Sequence, residues 1–453
     1  MKVHFISIGG SVMHQLAIAL KRKGYQVTGS DDEIFEPSRT NLEKEGLIPS
    51  NMGWNNDAIT VDLDAVILGM HAKNDNPEIA LAHKLKLPVY SFPEYIYNES
   101  IHKSRVVIGG SHGKTTTTAM VMHVLKIAQK KFDYLVGAQL DGFDQSVLIT
   151  DAPVIVCEGD EYPASAIEKR PKFHFLFPHI AVLTGIAWDH INVFPTFENY
   201  LEQFEIFIGK IEPNGILIYN ISDVELVNLI NKTWRTDITY HPYTVPENKI
   251  ENGKTTITLG NSSGQLMVFG NHNLLNIHAA WFVCKELGVT EDDFITAIGS
   301  FKGASKRLEK ITENQTSVAY RDFAHAPSKV KATIEAVKDQ FPLRKLITVL
   351  ELHTFSSLNS AFMNEYKGSL KKADKAVVYY SKHALELKCM PDLSLQTILD
   401  GFDKSDLQVI TNKEVLEEWL KSQTYDQACL LLMSSGNYDG LNINDVAEKL
   451  IHK

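Results

Sequence analysis

The sequence is poor in cysteine and has neither a long apolar run nor an excess of positive charge, and each shortage excludes a class of protein. Its four cysteines are scattered with no Cys-x-x-Cys pair, so we expect free thiols rather than disulfides or a zinc site. No apolar stretch is long enough to span a bilayer, and a strand-like run begins at Lys2 where a leader peptide would stand. We therefore expect a cytoplasmic protein with no membrane partner.

The charge balance argues against nucleic acid as a partner. Lysine and arginine number 45 against 55 acidic residues, which gives a formal net charge of −10, and there is no long basic run. Apolar residues make up 44% and charged residues 22%, as in an ordinary globular protein. A chain of 453 residues predicts two to four domains with ample core.

The most informative stretch is Val-Val-Ile-Gly-Gly-Ser-His-Gly-Lys-Thr-Thr-Thr-Thr at 106–118, which precedes an apolar helix pattern. This order predicts a strand, a tight loop and a helix, whose N-terminus and backbone N–H groups favour an anion. Lys114 would add a point charge for the β- and γ-phosphates, and Thr115 a hydroxyl for Mg²⁺. The first glycine of the strict Walker pattern is absent, because Ile108 stands in its place. The alternative is a glycine turn capped by threonine.

The first hundred residues predict a second ligand crevice. Short apolar runs alternate with a helix pattern, as in dinucleotide-binding folds, although Ser7 and Val12 replace two glycines of the usual fingerprint. Ligands of parallel sheets lie beyond the carboxyl ends of the strands, so polar residues there are candidates for one crevice. Each of them alone is more typical of a cap or turn. The candidates are Ser11, Asp31, His71 and Asn76.

Acidic residues and a histidine follow the next two buried strands. Glu158 opens the run Glu-Gly-Asp-Glu-Tyr at a strand end, where an acid beside a phosphate loop holds Mg²⁺ or an attacking group. The alternative is a solvated acidic turn. His190 follows Asp189 at the end of a strand at 179–186, and it is either a second metal ligand or a hydrogen-bonded turn residue.

Two asparagines lie further along the central region. Asn273 and Asn276 are three apart, so they share one face of a predicted helix and suit hydrogen bonding to a base or ribose. Ordinary helix caps are the alternative. An amphipathic helix at 196–211 and a strand-rich region at 213–269 precede them.

The last 150 residues again alternate strands with helices, which predicts a parallel α/β domain with loops at one edge. A glycine-containing bend at 302–305 is the expected linker into it. The loops after its strands carry Asp322, His325, His353 and Asn437.

Six of these motifs, in this order, resemble those of the Mur ligase family of ATP-dependent amide ligases in peptidoglycan precursor metabolism. The resemblance covers essentially the whole chain. The matching segments are Gly-Ser-His-Gly-Lys-Thr at 110–115, Glu-Gly-Asp-Glu at 158–161, Asp-His at 189–190, His-Asn-Leu-Leu-Asn at 272–276, Arg-Leu-Glu at 307–309 and Asp-Phe-Ala-His-Ala-Pro at 322–327.

The resemblance implies an α/β protein of three domains: a Rossmann-like domain at 1–103 that binds UDP-N-acetylmuramate, a central P-loop domain at 104–302 that binds ATP, and a C-terminal Rossmann-like domain at 303–453 for the amine substrate. It implies the cofactors ATP and Mg²⁺ (or Mn²⁺), a nucleotide site completed by domain closure, and a monomer or weak homodimer.

The resemblance also implies a role for each candidate residue. Catalytic residues would be Lys114, Glu158, His190 and Arg307, and metal ligands Thr115, Glu158 and His190. ATP would be bound by Gly110, Ser111, His112, Gly113, Lys114, Thr115, Thr116, His272, Asn273, Asn276, Arg307, Asp322 and His325. The other substrates would be bound by Gly10, Ser11, Asp31, His71, His353 and Asn437.

Two branches of the family begin with the Ile-Gly-Gly-x-x-Met signature found at 8–13. One adds L-alanine to UDP-N-acetylmuramate, and the other attaches the recycled tripeptide L-Ala-γ-D-Glu-meso-diaminopimelate. Several segments are similar to the tripeptide branch, among them Glu161-Tyr162, 168–173 and 435–440. The loop at 353–356 and the single histidine His325 depart from the usual pattern, which leaves the contacts with the amine open.

Two other classes of protein remain as alternatives. A catalytically silent UDP-sugar-binding regulator would be free to lose the residues that this chain keeps, such as Lys114 and Arg307. A simple P-loop kinase would leave the first and last domains without a role.

Overall fold

The computed structural model describes residues 1–188, 193–251, 253–303 and 307–453. These residues form two compact units. The first unit comprises Met1–Thr244 and Leu275–Ala297, and the second comprises Val245–Leu274 and Ile298–Lys453. The domain boundaries after residues 103 and 302 stay a prediction.

The first unit begins with a four-stranded parallel sheet in the order β2-β1-β3-β4, which agrees with the predicted βαβ start. Val3, Phe5 and Ile6 of β1 are fully buried, as the apolar run predicts. The elements are β1 (Lys2–Ile6), α1 (Met13–Arg22), β2 (Gln26–Ser30), α2 (Ser38–Lys44), β3 (Ala65–Leu68), α3 (Pro77–Lys84), β4 (Val89–Ser91) and α4 (Phe92–Ser100).

A seven-stranded sheet follows in the same unit, in the order β11-β10-β9-β5-β8-β6-β7, and β7 is antiparallel to its neighbour. Strand β5 lies between β8 and β9, so the carboxyl ends of these three strands are adjacent. The elements are β5 (Ser104–Gly109), α5 (Lys114–Ile127), β6 (Asp133–Leu135), β7 (Val147–Leu148), β8 (Val154–Glu158), β9 (Ile180–Leu183), α6 (Phe197–Gly209), β10 (Ile216–Asn220), α7 (Val224–Lys232) and β11 (Thr239–Tyr243).

Helix α6 confirms the amphipathic pattern predicted at 196–211. Thr196 caps it by accepting a hydrogen bond from the backbone nitrogen of Asn199 at 3.2 Å. One face buries Tyr200, Phe204 and Phe207 against the sheet core. Burying an apolar side chain of this size stabilises a fold by about 1.5–3 kcal/mol. Packing therefore fixes the position of Tyr200 beside the end of β5.

The second unit holds an antiparallel sheet in the order β12-β13-β14 and a six-stranded sheet in the order β15-β16-β20-β17-β18-β19. The larger sheet is parallel except for β15, as the strand–helix alternation predicts. Most of helices α8 and α9 belongs to the first unit. The elements from residue 247 onward are β12 (Glu247–Glu251), β13 (Lys254–Leu259), β14 (Ser262–Leu266), α8 (Asn271–Glu286), α9 (Glu291–Ile298), β15 (Glu309–Glu313), β16 (Val318–Asp322), α10 (Pro327–Gln340), β17 (Lys345–Glu351), β18 (Lys375–Tyr379), α11 (Lys382–Leu387), α12 (Leu395–Phe402), β19 (Gln408–Ile410), α13 (Lys413–Lys421), β20 (Ala428–Met433) and α14 (Ile443–Ile451).

The predicted α/β class is confirmed by these mainly parallel sheets and their helices. Within the described ranges, no helix has both the length and the apolar character needed to cross a membrane.

Candidate active site

The predicted phosphate loop lies between strand β5 and helix α5. Gly113 precedes α5 with a φ of 84°, and Gly110 has a φ of 123°, both in the left-handed region that favours glycine. A Cβ at Gly110 would lie 2.9 Å from the backbone nitrogen of Thr184, and a Cβ at Gly113 would lie 3.2 Å from Cγ of Asn276. The two glycines therefore let the loop pass close to its neighbours at the N-terminus of α5.

The ammonium of Lys114 is held inside this loop. Its Nζ donates to the carbonyl of Gly110 at 2.7 Å and to Oε2 of Glu161 at 2.6 Å. Burial alone would lower the pKa of Lys114, but the neighbouring carboxylates of Glu161, Asp160 and Glu158 outweigh it and raise the pKa above its ordinary value. The loop therefore carries a full positive charge at neutral pH.

The two predicted Mg²⁺ ligands described by the structure lie next to each other. The hydroxyl of Thr115 donates to Oε1 of Glu158 at 2.7 Å, and the backbone nitrogen of Gly137 donates to Oε2 at 2.8 Å. The β5–β8 pairing places Glu158 opposite Ile108, one strand away from the loop. A hydroxyl and a carboxylate beside a phosphate site suit Mg²⁺, which is usually held by one or two carboxylates plus phosphate oxygens. These residues therefore fit the ion.

The remaining loop residues face the protein rather than open space. The hydroxyl of Ser111 lies 2.8 Å from the hydroxyl of Tyr200 and accepts a hydrogen bond from the backbone nitrogen of Ala187 at 2.8 Å. The Nδ1 of His112 hydrogen-bonds to the carbonyl of Ser111 at 2.7 Å, and Thr116 is buried in the first turn of α5. The side chain of Ser111 therefore braces the loop.

The predicted metal ligand His190 and its neighbour Asp189 lie outside the described residues, so the second metal site stays a prediction.

The predicted nucleotide helix is α8, and its candidate residues differ in environment. In the first unit, Asn276 lies beside Gly113 of the phosphate loop. In the second unit, Nδ2 of Asn273 donates to the carbonyl of Phe269 at 2.9 Å, which ties down the start of the helix. Burial lowers the pKa of His272 to about 4, so its imidazole is neutral at neutral pH. The side chain of Asn273 thus supports the start of helix α8, and its predicted nucleotide contact stays a prediction.

The predicted crevice of the first sheet brings Asp31 and His71 together. With Asp32, their potential ligand atoms lie within 4.8 Å of one another. Oδ2 of Asp31 accepts a hydrogen bond from the backbone nitrogen of Gly9 at 2.7 Å, and burial raises the pKa of Asp31 to about 6. Ser11 follows in the same turn and is exposed.

Two other residues of this region have structural contacts. Asn76, a crevice candidate, instead caps α3, because its Oδ1 accepts from the backbone nitrogens of Glu78 at 2.9 Å and Ile79 at 3.3 Å. The carbonyl of Gly10 hydrogen-bonds to Nδ1 of His14 at 2.9 Å. The backbone nitrogen of Gly10 donates to the carbonyl of Ser7 at 3.4 Å, and the predicted ligand contacts of both residues stay predictions.

Two clefts in the first unit offer room for a ligand near these residues. A cleft of about 560 Å³ runs along β2 and is lined by, among others, Thr28, Ser30, Met52, Trp54, Asn55 and Asp57. A second cleft, of about 620 Å³, is lined by Met70, Tyr162, Lys169, Arg170, Phe194, Gln203 and four further residues.

The second unit brings Arg307, Asp322 and His325 into one cluster. The guanidinium carbon of Arg307 lies 4.7 Å from the centroid of the Phe323 ring. Burial raises the pKa of Asp322 to about 6 although Arg307 opposes this, and the carboxylate accepts from the backbone nitrogens of Ala324, at 2.6 Å, and Leu308. Nδ1 of His325 hydrogen-bonds to the carbonyl of Phe323 at 2.8 Å.

His353 and Asn437 lie at the ends of adjacent strands in the same unit. His353 is near the buried Glu351, and a Cβ on Gly436 would lie 2.7 Å from the His353 ring. Burial and the charge of Lys388 lower the pKa of His353, and burial raises the pKa of Glu351. Asn437 lines a pocket of about 210 Å³ together with Arg321, Asp322, Ser434, Asn442 and Asn444, among others.

Two residues of the site were not assigned a role from the sequence. Glu161 belongs to the matched Glu-Gly-Asp-Glu segment, and this motif could have marked it as a site residue. The sequence did not show that its carboxylate pairs with Lys114. Tyr200 was one of several apolar positions on a predicted helix. Only the fold brings its hydroxyl to Glu161 and Ser111.

Comparison with known families matches three successive parts of the chain. Residues 2–99 match the Mur ligase family catalytic domain, 108–284 the Mur ligase middle domain, and 306–436 the Mur ligase glutamate ligase domain.

Two individual relatives match the chain in sequence, and a solved structure matches it in fold. The chain is 32% identical to UDP-N-acetylmuramate–L-alanine ligase of Caldicellulosiruptor bescii over 397 residues, 83% of each chain. It is 27% identical to UDP-N-acetylmuramate–L-alanyl-γ-D-glutamyl-meso-2,6-diaminoheptandioate ligase of Haemophilus influenzae over 455 residues, 97% of each chain. The fold matches the crystal structure of UDP-N-acetylmuramate–alanine ligase MurC of Thermotoga maritima with a TM-score of 0.68 and 21% identity, covering 100% of this chain and 98% of that one.

The three matched domains and the phosphate loop define an ATP-dependent ligase that forms amide bonds. The chain belongs to the Mur ligase family. The predicted family is thus confirmed.

Proposed function

We propose that the protein joins the carboxylate of UDP-N-acetylmuramate to the amine of L-alanyl-γ-D-glutamyl-meso-diaminopimelate, while ATP becomes ADP and phosphate. The observation that carries the proposal is the grouping of Lys114, Thr115 and Glu158 at one strand edge, where a cation and two oxygen ligands suit a nucleoside triphosphate. Relatives named as ligases of UDP-N-acetylmuramate support the choice of the substrate that supplies the carboxylate.

The reaction needs the carboxylate to be activated first. A carboxylate oxygen attacks the γ-phosphorus, the bond from that phosphorus to ADP breaks, and an acyl phosphate forms. The amine nitrogen then attacks the acyl carbon and loses a proton, and phosphate leaves with an oxygen that came from the carboxylate. Negative charge develops on the transferring group in the first step, which is where a fixed cation is most effective.

The chain's residues take distinct parts in this scheme. Lys114 keeps its hydrogen bond to Glu161 and donates a further N–H to phosphate oxygens, whose charge it neutralises. Thr115 and Glu158 would hold Mg²⁺, which would supply Lewis-acid stabilisation of the phosphate charge. In the proposal, Asn276 contacts the nucleotide beside Gly113.

The proposed UDP-sugar site uses the glycine turn of the first sheet. Gly10 and Ser11 offer the start of α1 to the diphosphate, while Asp31 and His71 lie where a ribose or uracil can be hydrogen-bonded. The cleft of about 560 Å³ along β2 supplies space for the base.

The surroundings of His353 favour the tripeptide over L-alanine as the amine. A site selective for alanine needs a small, enclosed apolar pocket, because one methyl group supplies little binding energy. Here Phe355 is 63% exposed, and the ammonium of Lys388 lies 5.0 Å from its ring centroid. An exposed aromatic ring with an ammonium beside it suits a long amine substrate that carries several carboxylates.

The second unit also supplies the proposed nucleotide contacts Arg307, Asp322 and His325, which form one cluster. Arg307 would reach phosphate and Asp322 the ribose. Completion of the site by closure of the domains remains part of the proposal.

Phosphate release in three reactions tests the proposal. The enzyme is given ATP, Mg²⁺ and UDP-N-acetylmuramate with the tripeptide, with L-alanine, or with no amine. We expect release with the tripeptide at least about 100-fold above that with L-alanine. Release with L-alanine alone would instead support the second candidate, an L-alanine ligase, which the 32% identity to the Caldicellulosiruptor bescii enzyme favours. No release in any arm, with retained UDP-sugar binding, would leave the non-catalytic regulator.

A further inference from the structure

A chain of hydrogen bonds links Tyr200 of α6 to the catalytic lysine. The hydroxyl of Tyr200 donates to Oε1 of Glu161 at 3.1 Å, and the other oxygen of Glu161 accepts from Lys114 at 2.6 Å. On its other side, the Tyr200 hydroxyl lies 2.8 Å from Ser111, whose oxygen accepts from the backbone nitrogen of Ala187 at 2.8 Å. One side chain thus contacts two parts of the phosphate site.

The direction of each hydrogen bond follows from counting protons. Glu161 is paired with an ammonium, so its carboxylate only accepts, and the single hydroxyl proton of Tyr200 points to it. The proton between Ser111 and Tyr200 must then come from Ser111. The hydroxyl of Ser111 is therefore already committed as donor to Tyr200, and it is not available to donate to a phosphate oxygen in this arrangement.

The residues of this hydrogen-bond chain are buried, and the Tyr200 ring is packed against other aromatic rings. Tyr200 and Glu161 are fully buried, and the Ser111 residue is 5% exposed. The Tyr200 ring packs between Phe194, at a centroid distance of 5.4 Å, and Phe204, at 5.1 Å. Hydrogen bonds to an ionised group in such surroundings are stronger than those in water. A small change in the orientation of the Tyr200 hydroxyl would therefore change the position of the Lys114 ammonium.

We propose that Tyr200 is a positioning residue for the ATP-dependent step, whose hydroxyl orients Glu161 and Ser111 together and so holds the Lys114 ammonium in place to donate to the phosphates of ATP. The inference rests on the proposed role of the loop as the ATP site. It assigns the side chain of Ser111 to the support of the loop and leaves the phosphate contacts to Lys114 and backbone nitrogens.

The test compares two variants that each lose one buried tyrosine hydroxyl. Y200F removes the donor to Glu161. Y95F is the matched control in the first unit, because the buried Tyr95 hydroxyl makes no hydrogen bond within the part of the chain that the structure describes. For each variant we would measure kcat and KM for ATP and for UDP-N-acetylmuramate by phosphate release, the affinity for a non-hydrolysable ATP analogue by calorimetry, and Tm.

We expect Y200F to lower kcat/KM for ATP about 10-fold or more, since a hydrogen bond to a charged group is lost. The affinity for the ATP analogue should fall about fivefold, whereas KM for the UDP-sugar stays within about twofold of wild type. Y95F should leave all of these values within about twofold. S111A cuts the same chain at its next link, so the loss in the double variant should be smaller than the product of the two single losses.

Three results would overturn the inference: unchanged ATP parameters in Y200F, an equal loss for both substrates, or multiplicative losses in the double variant. If Y200F does not fold, S111A alone must still lower kcat/KM for ATP selectively. K114A separates this inference from the proposed function. If K114A still releases phosphate at the wild-type rate, the loop assignment itself is wrong, whereas loss in K114A with normal ATP parameters in Y200F rejects only the role of Tyr200.

Discussion

The first unit contains two junctions of the same kind, each running from a strand through glycines into a helix, and they differ in the charge they hold. At the β1–α1 junction the backbone nitrogen of Gly9 already donates to the buried carboxylate of Asp31. At the β5–α5 junction a lysine fills the loop, with its ammonium between Gly110 and Glu161. The same backbone design would therefore suit different ligands, according to whether an acid or a lysine completes it.

The pKa shifts express the same contrast. Burial raises the pKa of Asp31 to about 6, so that a proton is easily taken up there. At the other junction, three carboxylates raise the pKa of Lys114 despite burial, so Lys114 stays positively charged at neutral pH. A phosphate group undergoing transfer needs that fixed charge, whereas a neutral ribose or base is suited by an acceptor carboxylate.

The largest effect should come from removing the charge that distinguishes the second junction. We expect K114A to lower phosphate release on the order of 1000-fold or more, because no other cation contacts the loop among the described residues. Calorimetry with UDP-N-acetylmuramate should give an affinity within about threefold of wild type. K126A is the control, since it removes an ammonium from the far end of the same helix. Activity that survives in K114A would contradict the assignment.

A smaller loss should follow from neutralising the acid beside the loop. We expect E158Q to reduce kcat on the order of 100-fold and to raise the Mg²⁺ concentration needed for half-maximal rate, because a carboxamide binds the ion less well. A Mg²⁺ titration of phosphate release measures both. E212Q, in which the altered acid pairs with Arg105, is the control. An unchanged Mg²⁺ requirement in E158Q would exclude Glu158 as a ligand.

The glycine that opens α5 offers a test of backbone geometry. We expect G113A to destabilise the fold by about 1–3 kcal/mol, because alanine is strained at a φ of 84° and its Cβ would meet Asn276. Urea unfolding gives the free energy. G209A, at a helix position where a Cβ meets nothing within 4 Å, is the control. If G113A were as stable as wild type, the loop would not have the left-handed conformation.

The smallest effect should come from the first junction. The folded state raises the pKa of Asp31 above its ordinary value of 3.8, so protonation favours the fold. The stabilisation is complete below about pH 4 and is lost as the pH rises through about 6. D31N should flatten this part of the curve of unfolding free energy against pH. A curve for D31N that falls as steeply as that of wild type would contradict the shift.

The strand–loop–helix order at 104–127 was predictable because glycines and threonines interrupt a buried run in a way that few other structures allow. Glu158 followed from the rule that acids at adjacent strand ends meet. The capping role of Asn76 could not be separated from a ligand role, since both need a polar residue before a helix. The role of Tyr200 could not be predicted, because a tyrosine in an amphipathic helix pattern counts as an apolar position. The partners of its hydroxyl are far away in the sequence and become known only from the fold.

The central claim, that ATP activates the carboxylate as an acyl phosphate, is tested most directly by isotope transfer. UDP-N-acetylmuramate labelled with ¹⁸O in both carboxylate oxygens is turned over with ATP and the amine substrate, and the phosphate is analysed by mass spectrometry. We expect one ¹⁸O in each phosphate released and one in each amide product. Unlabelled phosphate released together with an amide product that holds one ¹⁸O would contradict the account.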